Sequence, residues 1–199
     1  MLRPVDTSSR ERKNLNGLWA FRLDREGVGT AQAWQAGSLP DASQMAVPAS
    51  FNDLATDRET REFFGDIWYQ TVVRVPRGWA GQRIGVHLES ATHRGTVFVN
   101  DTEVITHQGG YLPFEADITD LVAPGEEFRL TVRVNNVLSF QTIPPGVIED
   151  SPHGPKLRYW HDFFNYAGIH RDVWLTARPE SHLTDVTVIT DIDGTTGRV

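Results

Sequence analysis

The sequence predicts an all-β protein, a β-sandwich of jelly-roll type. Three observations carry that prediction. About eight or nine segments alternate apolar and polar residues, or are rich in β-branched and aromatic side chains, at roughly 8–15-residue spacing. Pro and Gly clusters separate them. Helical periodicity is scarce, and neither heptads nor internal repeats occur. At 199 residues with 39% hydrophobic and 23% charged content, the chain has the composition of a globular protein and room for one full domain plus part of another.

The elements follow in order. Residues 1–14 are polar and show no strong pattern. Residues 15–23 read as a strand, with Leu18, Ala20 and Arg22 on one face and Trp19, Phe21 and Leu23 on the other. Residues 24–66 form a long connection, expected to be functional or to lie as a flap over the sheet. Within it Ser50 or Asn52 is positioned to cap a short helix through Arg61. Strands follow at 67–75, 83–89, 95–99 and 103–106, the last two joined by a turn at Asn100-Asp101. In the second of these Ile84, Val86 and Leu88 face inward, while Arg83, Gly85, His87 and Glu89 face outward. Residues 114–118 read as a short strand. Phe128, Leu130, Val132 and Val134 mark the clearest strand of the chain. Residues 136–159 carry Pro144, Pro145, Pro152 and Pro155 and read as a loop without regular structure. A strand is expected at 169–176 and a less regular one at 182–192, followed by a turn at 193–197 with no returning strand. Such a run cannot bury a face alone, which predicts a fragment cut inside a second β domain.

Charge and composition exclude several functions. The net charge of -7 and the absence of a Lys/Arg block argue against nucleic-acid binding and against a membrane-surface role. With no cysteine there is no disulfide, thiolate metal site or cysteine nucleophile. The N-terminus lacks the apolar core of a signal peptide and no run reaches transmembrane length, so the chain reads as cytoplasmic. Phosphate-cradling glycine motifs are missing, His161 and His170 lack metal-ligand spacing, and no cofactor is expected. Among 26 acidic residues, sequence alone singles out no catalytic carboxylate pair.

Residues 160–171 concentrate chemistry: four aromatics, two histidines, one carboxylate and one amide in twelve residues. Aromatic faces suit the C–H side of a sugar ring, and a carboxylate accepts from its hydroxyls. The plainer reading is that Phe163, Phe164 and Tyr166 plug the end of a sandwich core while Asp162 pairs with Arg158 or Arg171.

The motifs resemble a known family. Residues 1–5 (MLRPV), 15–21 (LNGLWAF), 47–53 (VPASFND), 68–70 (WYQ), 78–84 (GWAGQRI), 107–111 (HQGGY), 113–117 (PFEAD), 141–146 (QTIPPG) and 161–171 (HDFFNYAGIHR) resemble the N-terminal sugar-binding domain of glycoside hydrolase family 2, in its bacterial-type β-glucuronidase branch. Ala49 stands where that family usually has Gly. The resemblance implies a galactose-binding-domain-like jelly roll over residues 1–179 and the first strand and turn of an immunoglobulin-like domain at 180–199. A (β/α)₈ barrel carrying both catalytic glutamates of a retaining mechanism would complete the parent enzyme, a homo-oligomer acting on β-D-glucuronides. By motif position Asp162 contacts the glycone, with His161 and Asn165 in support, and this chain alone is expected to be inactive. Thr92 and His93 sit in a turn nearby. The alternatives are a free-standing carbohydrate-binding module and a purely structural or oligomerisation domain.

Overall fold

A computed structural model describes residues 3–152 and 154–199. In chain order the strands are β1 (Glu11–Asn14), β2 (Gly17–Leu23), β3 (Ser43–Val47), β4 (Asp66–Arg74), β5 (Arg83–Leu88), β6 (Arg94–Val99), β7 (Thr102–Gln108), β8 (Phe114–Asp117), β9 (Glu127–Asn135), β10 (Gly146–Glu149), β11 (Lys156–Tyr159), β12 (Val173–Arg178), β13 (Asp191–Asp193) and β14 (Thr196–Arg198). Two short helices, α1 (Phe51–Leu54) and α2 (Arg58–Arg61), lie between β3 and β4. None of the helices is long and apolar enough to cross a membrane.

Two antiparallel sheets face each other. One runs β3-β2-β4-β9-β6-β7, the other β1-β12-β5-β8. The period-two alternation of each strand sends one face into the space between them. Trp19, Phe21, Tyr69, Val97, Leu130 and Val132 meet Ile84, Val86, Leu88, Val173 and Leu175 in a single core. Strands β4 and β9, nine residues each, pair along their whole length and form the spine of the larger sheet.

The long connection after β2 divides in two. Its first part lies on the outer face of the large sheet, where Trp34 and Leu39 cover Trp68 and Phe98. The buried Asp24 carboxylate ties this flap down by accepting from Val28 N and Gly29 N at 2.8 and 2.9 Å. A Cβ on Gly29 would come within 2.8 Å of both the Trp34 and Trp68 rings, so only glycine fits there. The second part holds the helices. Ser50 sits at the head of α1, but its hydroxyl does not cap the helix. It donates to Asn52 Oδ1 and accepts from Ala167 N instead. Asp57 caps α2, accepting from Thr60 N at 2.8 Å.

Several expectations are corrected. The polar stretch before residue 15 contains an edge strand, β1. It is held by pairing with β12, by Trp79 Nε1 donating to Glu11, and by Arg12 lying 4.4 Å over the Trp174 ring. Residues 136–159 contain a hairpin, β10–β11, whose prolines all fall outside the paired segments. Glu149 joins its strands through Lys156 and Arg158 at 3.4 and 3.2 Å. The outward face of β5 is also covered, because His87 is buried beneath Glu115, which itself pairs with Arg178 at 2.8 Å. The strand expected at 169–176 begins only at Val173. Residues 183–190 form no strand and expose Leu183, Val186, Val188 and Ile189, since β-branched content without a partner edge makes no ladder. A return strand, β14, does follow the turn and pairs with β13.

Candidate functional site

The chain from Trp160 to Arg171 leaves β11 and reaches β12 across one end of the sandwich. Its second half is an anchor. Ile169 O and Ala167 O accept from Ala49 N and Phe51 N at 2.8 and 3.2 Å, and Gly168 O accepts from Thr92 N at 3.0 Å. Ala167, Gly168 and Ile169 are consequently buried. Its first half is an exposed loop carrying His161, Asp162, Phe163 and Phe164.

Asn165 joins the halves and is 7% exposed. Its carbonyl accepts from Asn52 Nδ2 at 3.0 Å, and its Oδ1 lies 3.1 Å from His93 Nε2. With Oδ1 as acceptor, Nε2 carries the imidazole proton and donates, leaving the buried Nδ1 without a partner. Burial pushes the His93 pKa down to about 4, against the opposing pull of the Asn165 bond, so the ring is neutral at pH 7. His170 behaves alike. Its Nδ1 lies 2.6 Å from Thr92 Oγ1, and burial, aided by Arg171, lowers its pKa to about 4. Tyr166 stacks on this ring at 5.7 Å and Tyr111 meets it edge-on at 5.3 Å.

Asp162 is exposed and makes no hydrogen bond or ion pair among the described residues. The expected salt bridge is absent because both candidate cations are engaged elsewhere. Arg158 pairs with Glu149, and Arg171 donates to Tyr111 O at 3.0 Å. The aromatics do not plug the core either. Phe163, Phe164 and Tyr166 are 39%, 37% and 41% exposed, and the core end is closed by Phe51, Ala167 and Ile169. They stack at the surface instead, Phe163 with His161 at 5.4 Å and Phe164 with Tyr166 at 5.3 Å. Phe140 and Trp160 form a further exposed stack at 5.7 Å.

Thus His161 and Asp162 share a solvent-facing loop, while Asn165 lies beneath it as its fixed point. Sequence reasoning missed Asn52 as the residue holding the Asn165 carbonyl. It noted His93 only as a neighbour, and the 72-residue separation from Asn165 leaves no local signal of their bond.

The chain is thus a two-sheet β-sandwich with an aromatic, carboxylate-bearing loop at one end. Residues 12–179 match the model of the glycosyl hydrolases family 2 sugar binding domain, and the chain belongs to that family. It is 46% identical over 205 residues to a β-glucuronidase of Paenibacillus borealis, covering 100% of this chain and 34% of that protein. The β-glucuronidase of Sus scrofa is 42% identical over 217 residues, with 100% and 33% covered. Among solved structures, Ruminococcus gnavus β-glucuronidase superposes with a TM-score of 0.89 at 36% identity, over 98% of this chain and 33% of that one. The same enzyme in complex with D-glucuronic acid gives the same score and identity. The chain spans about a third of the length of these relatives.

Proposed function

We propose that this chain is the sugar-contacting N-terminal domain of a retaining β-glucuronidase, and that Asp162 accepts hydrogen bonds from hydroxyls of the β-D-glucuronide glycone. The observation that carries the reading is an exposed, unpaired carboxylate three residues from a buried anchor. A free carboxylate is an acceptor only, suited to vicinal hydroxyls. Because Asn165 is pinned to His93 and Asn52, the carboxylate is held on a short tether. His161 supports it from the exposed loop and Asn165 from below. The acid/base carboxylates belong to a barrel domain in the remaining two thirds of the parent enzyme, a homo-oligomer. Residues 1–179 form the sugar-contacting domain and 180–199 open a second, immunoglobulin-like one. The family match, which ends at residue 179, supports that division.

The test is hydrolysis of an aryl β-glucuronide by the full-length protein and its Asp162→Asn variant. A lost charge-assisted hydrogen bond of about 1.5–3 kcal/mol corresponds to roughly a 10- to 150-fold drop in kcat/KM. An unchanged kcat/KM would instead favour a purely structural domain. The 1–199 chain alone is expected to show no turnover.

A further inference from the structure

A recess of about 380 Å³ opens between α2 and the β10–β11 hairpin, within the volume range of small-ligand sites. Asn165 and Asn136 line it, and both are more than nine-tenths buried. The Asn136 side chain is fully used, accepting from Gly65 N and donating to Phe63 O. Asn165 is not. Its Oδ1 is taken by His93, whereas its Nδ2 has no acceptor among the described residues. The lining is also cationic, with Arg58, Arg61 and Lys156 against Glu62 alone, in a chain whose net charge is -7. Arg58 is paired with Glu62 at 2.8 Å and Lys156 with Glu149 at 3.4 Å, while Arg61 makes no ion pair among the described residues. Tyr159 and Phe164 add aromatic surface to the same walls.

A guanidinium without a counter-ion recognises a carboxylate, an amide N–H recognises a hydroxyl, and ring faces recognise sugar C–H groups. We propose that this recess binds a sugar acid of the hexuronate class, with its carboxylate at Arg61 and a ring hydroxyl at Asn165 Nδ2. Asp162 does not line the recess, so the contact does not depend on the role proposed for that residue.

The test is a titration of the ¹⁵N-labelled 1–199 chain, followed by NMR, with D-glucuronate, D-glucose and acetate. Saturable shifts centred on the Asn165 side-chain amide and Arg61 are expected with D-glucuronate, and markedly weaker binding with the other two. Arg61→Gln, at an exposed position, should weaken D-glucuronate about tenfold or more and leave signals elsewhere unmoved, with Lys156→Gln as a second variant on the opposite wall. Absence of saturation overturns the proposal, as does equal binding of D-glucose, or shifts that acetate reproduces. So does a D-glucuronate response that Asp162→Asn abolishes and Arg61→Gln spares, which would place the sugar at Asp162 instead.

Discussion

Gly168 is where the site loop is most sensitive to a single added methyl group. Its φ is +95°, in the region that disfavours any residue with a Cβ, and a Cβ there would fall on the hydroxyl of the fully buried Tyr69 and within 3.4 Å of the Phe51 ring. Gly168→Ala therefore meets two costs. The left-handed conformation costs roughly 1–2 kcal/mol for an L-residue. Forcing a methyl group into a filled core costs about 1–3 kcal/mol. The sum, about 2–5 kcal/mol, is a large share of the stability of a domain this size. In urea unfolding of the 1–199 chain, with a slope of about 3 kcal/mol per molar, the midpoint should fall by roughly 1 M. The steric part can be separated. The Tyr69 hydroxyl has no hydrogen-bond partner of good geometry, so Tyr69→Phe alone should be close to neutral. In that background Gly168→Ala should recover about 1–3 kcal/mol, because the atom it strikes is gone, while the backbone strain remains. A Gly168→Ala penalty under about 1 kcal/mol, or one that is the same in both backgrounds, would refute the reasoning.

Asn136→Ala removes the acceptor for Gly65 N and the donor to Phe63 O and should cost about 1–2 kcal/mol in the same urea assay, the loss resting on two part-buried backbone groups. Stability should also depend on pH. His93 and His170 titrate near 6.5 when unfolded but near 4 in the fold, so between those values the unfolded chain binds protons that the native chain does not. Stability is thus fully present above about 6.5 and falls as pH drops towards about 4, by up to about 3 kcal/mol for His93 and less for the partly exposed His170. His93→Gln should flatten the profile by its share, and a flat wild-type profile would contradict the burial of both rings.

The main strands were legible because one face of each enters the core between the sheets, and that face writes itself into sequence as apolar residues at every second position. Phe128, Leu130, Val132 and Val134 in β9 are the clearest instance, and all four are buried. Elements held by other forces left no such trace. β1 is a polar edge held by backbone pairing, a Trp–Glu hydrogen bond and an Arg over Trp174. The β10–β11 hairpin depends on pairing and on Glu149, and its composition of prolines and charges reads as loop. Residues 182–192 are the reverse case, with strong β-propensity and no edge to pair with before β13.

The same distinction runs through the site. Asp162 stood out because a carboxylate among aromatics is chemically conspicuous in one dimension. His93, Asn52 and Arg61 were not, since their importance lies in contacts that only folding creates. The stretch that looked like one motif divides into two jobs. Ala167, Gly168 and Ile169 spend their backbone groups on Ala49, Phe51 and Thr92, so this half is structural and glycine-dependent. His161 to Phe164 have no such ties and face solvent. Asn165 belongs to both halves, because its carbonyl and Oδ1 serve the anchor while its Nδ2 has no acceptor among the described residues and the residue lines the recess. A substitution there would therefore disturb both at once, whereas Asp162→Asn and Arg61→Gln each touch one side. Those two variants, rather than any change at Asn165, separate a glycone contact from a second sugar-acid site.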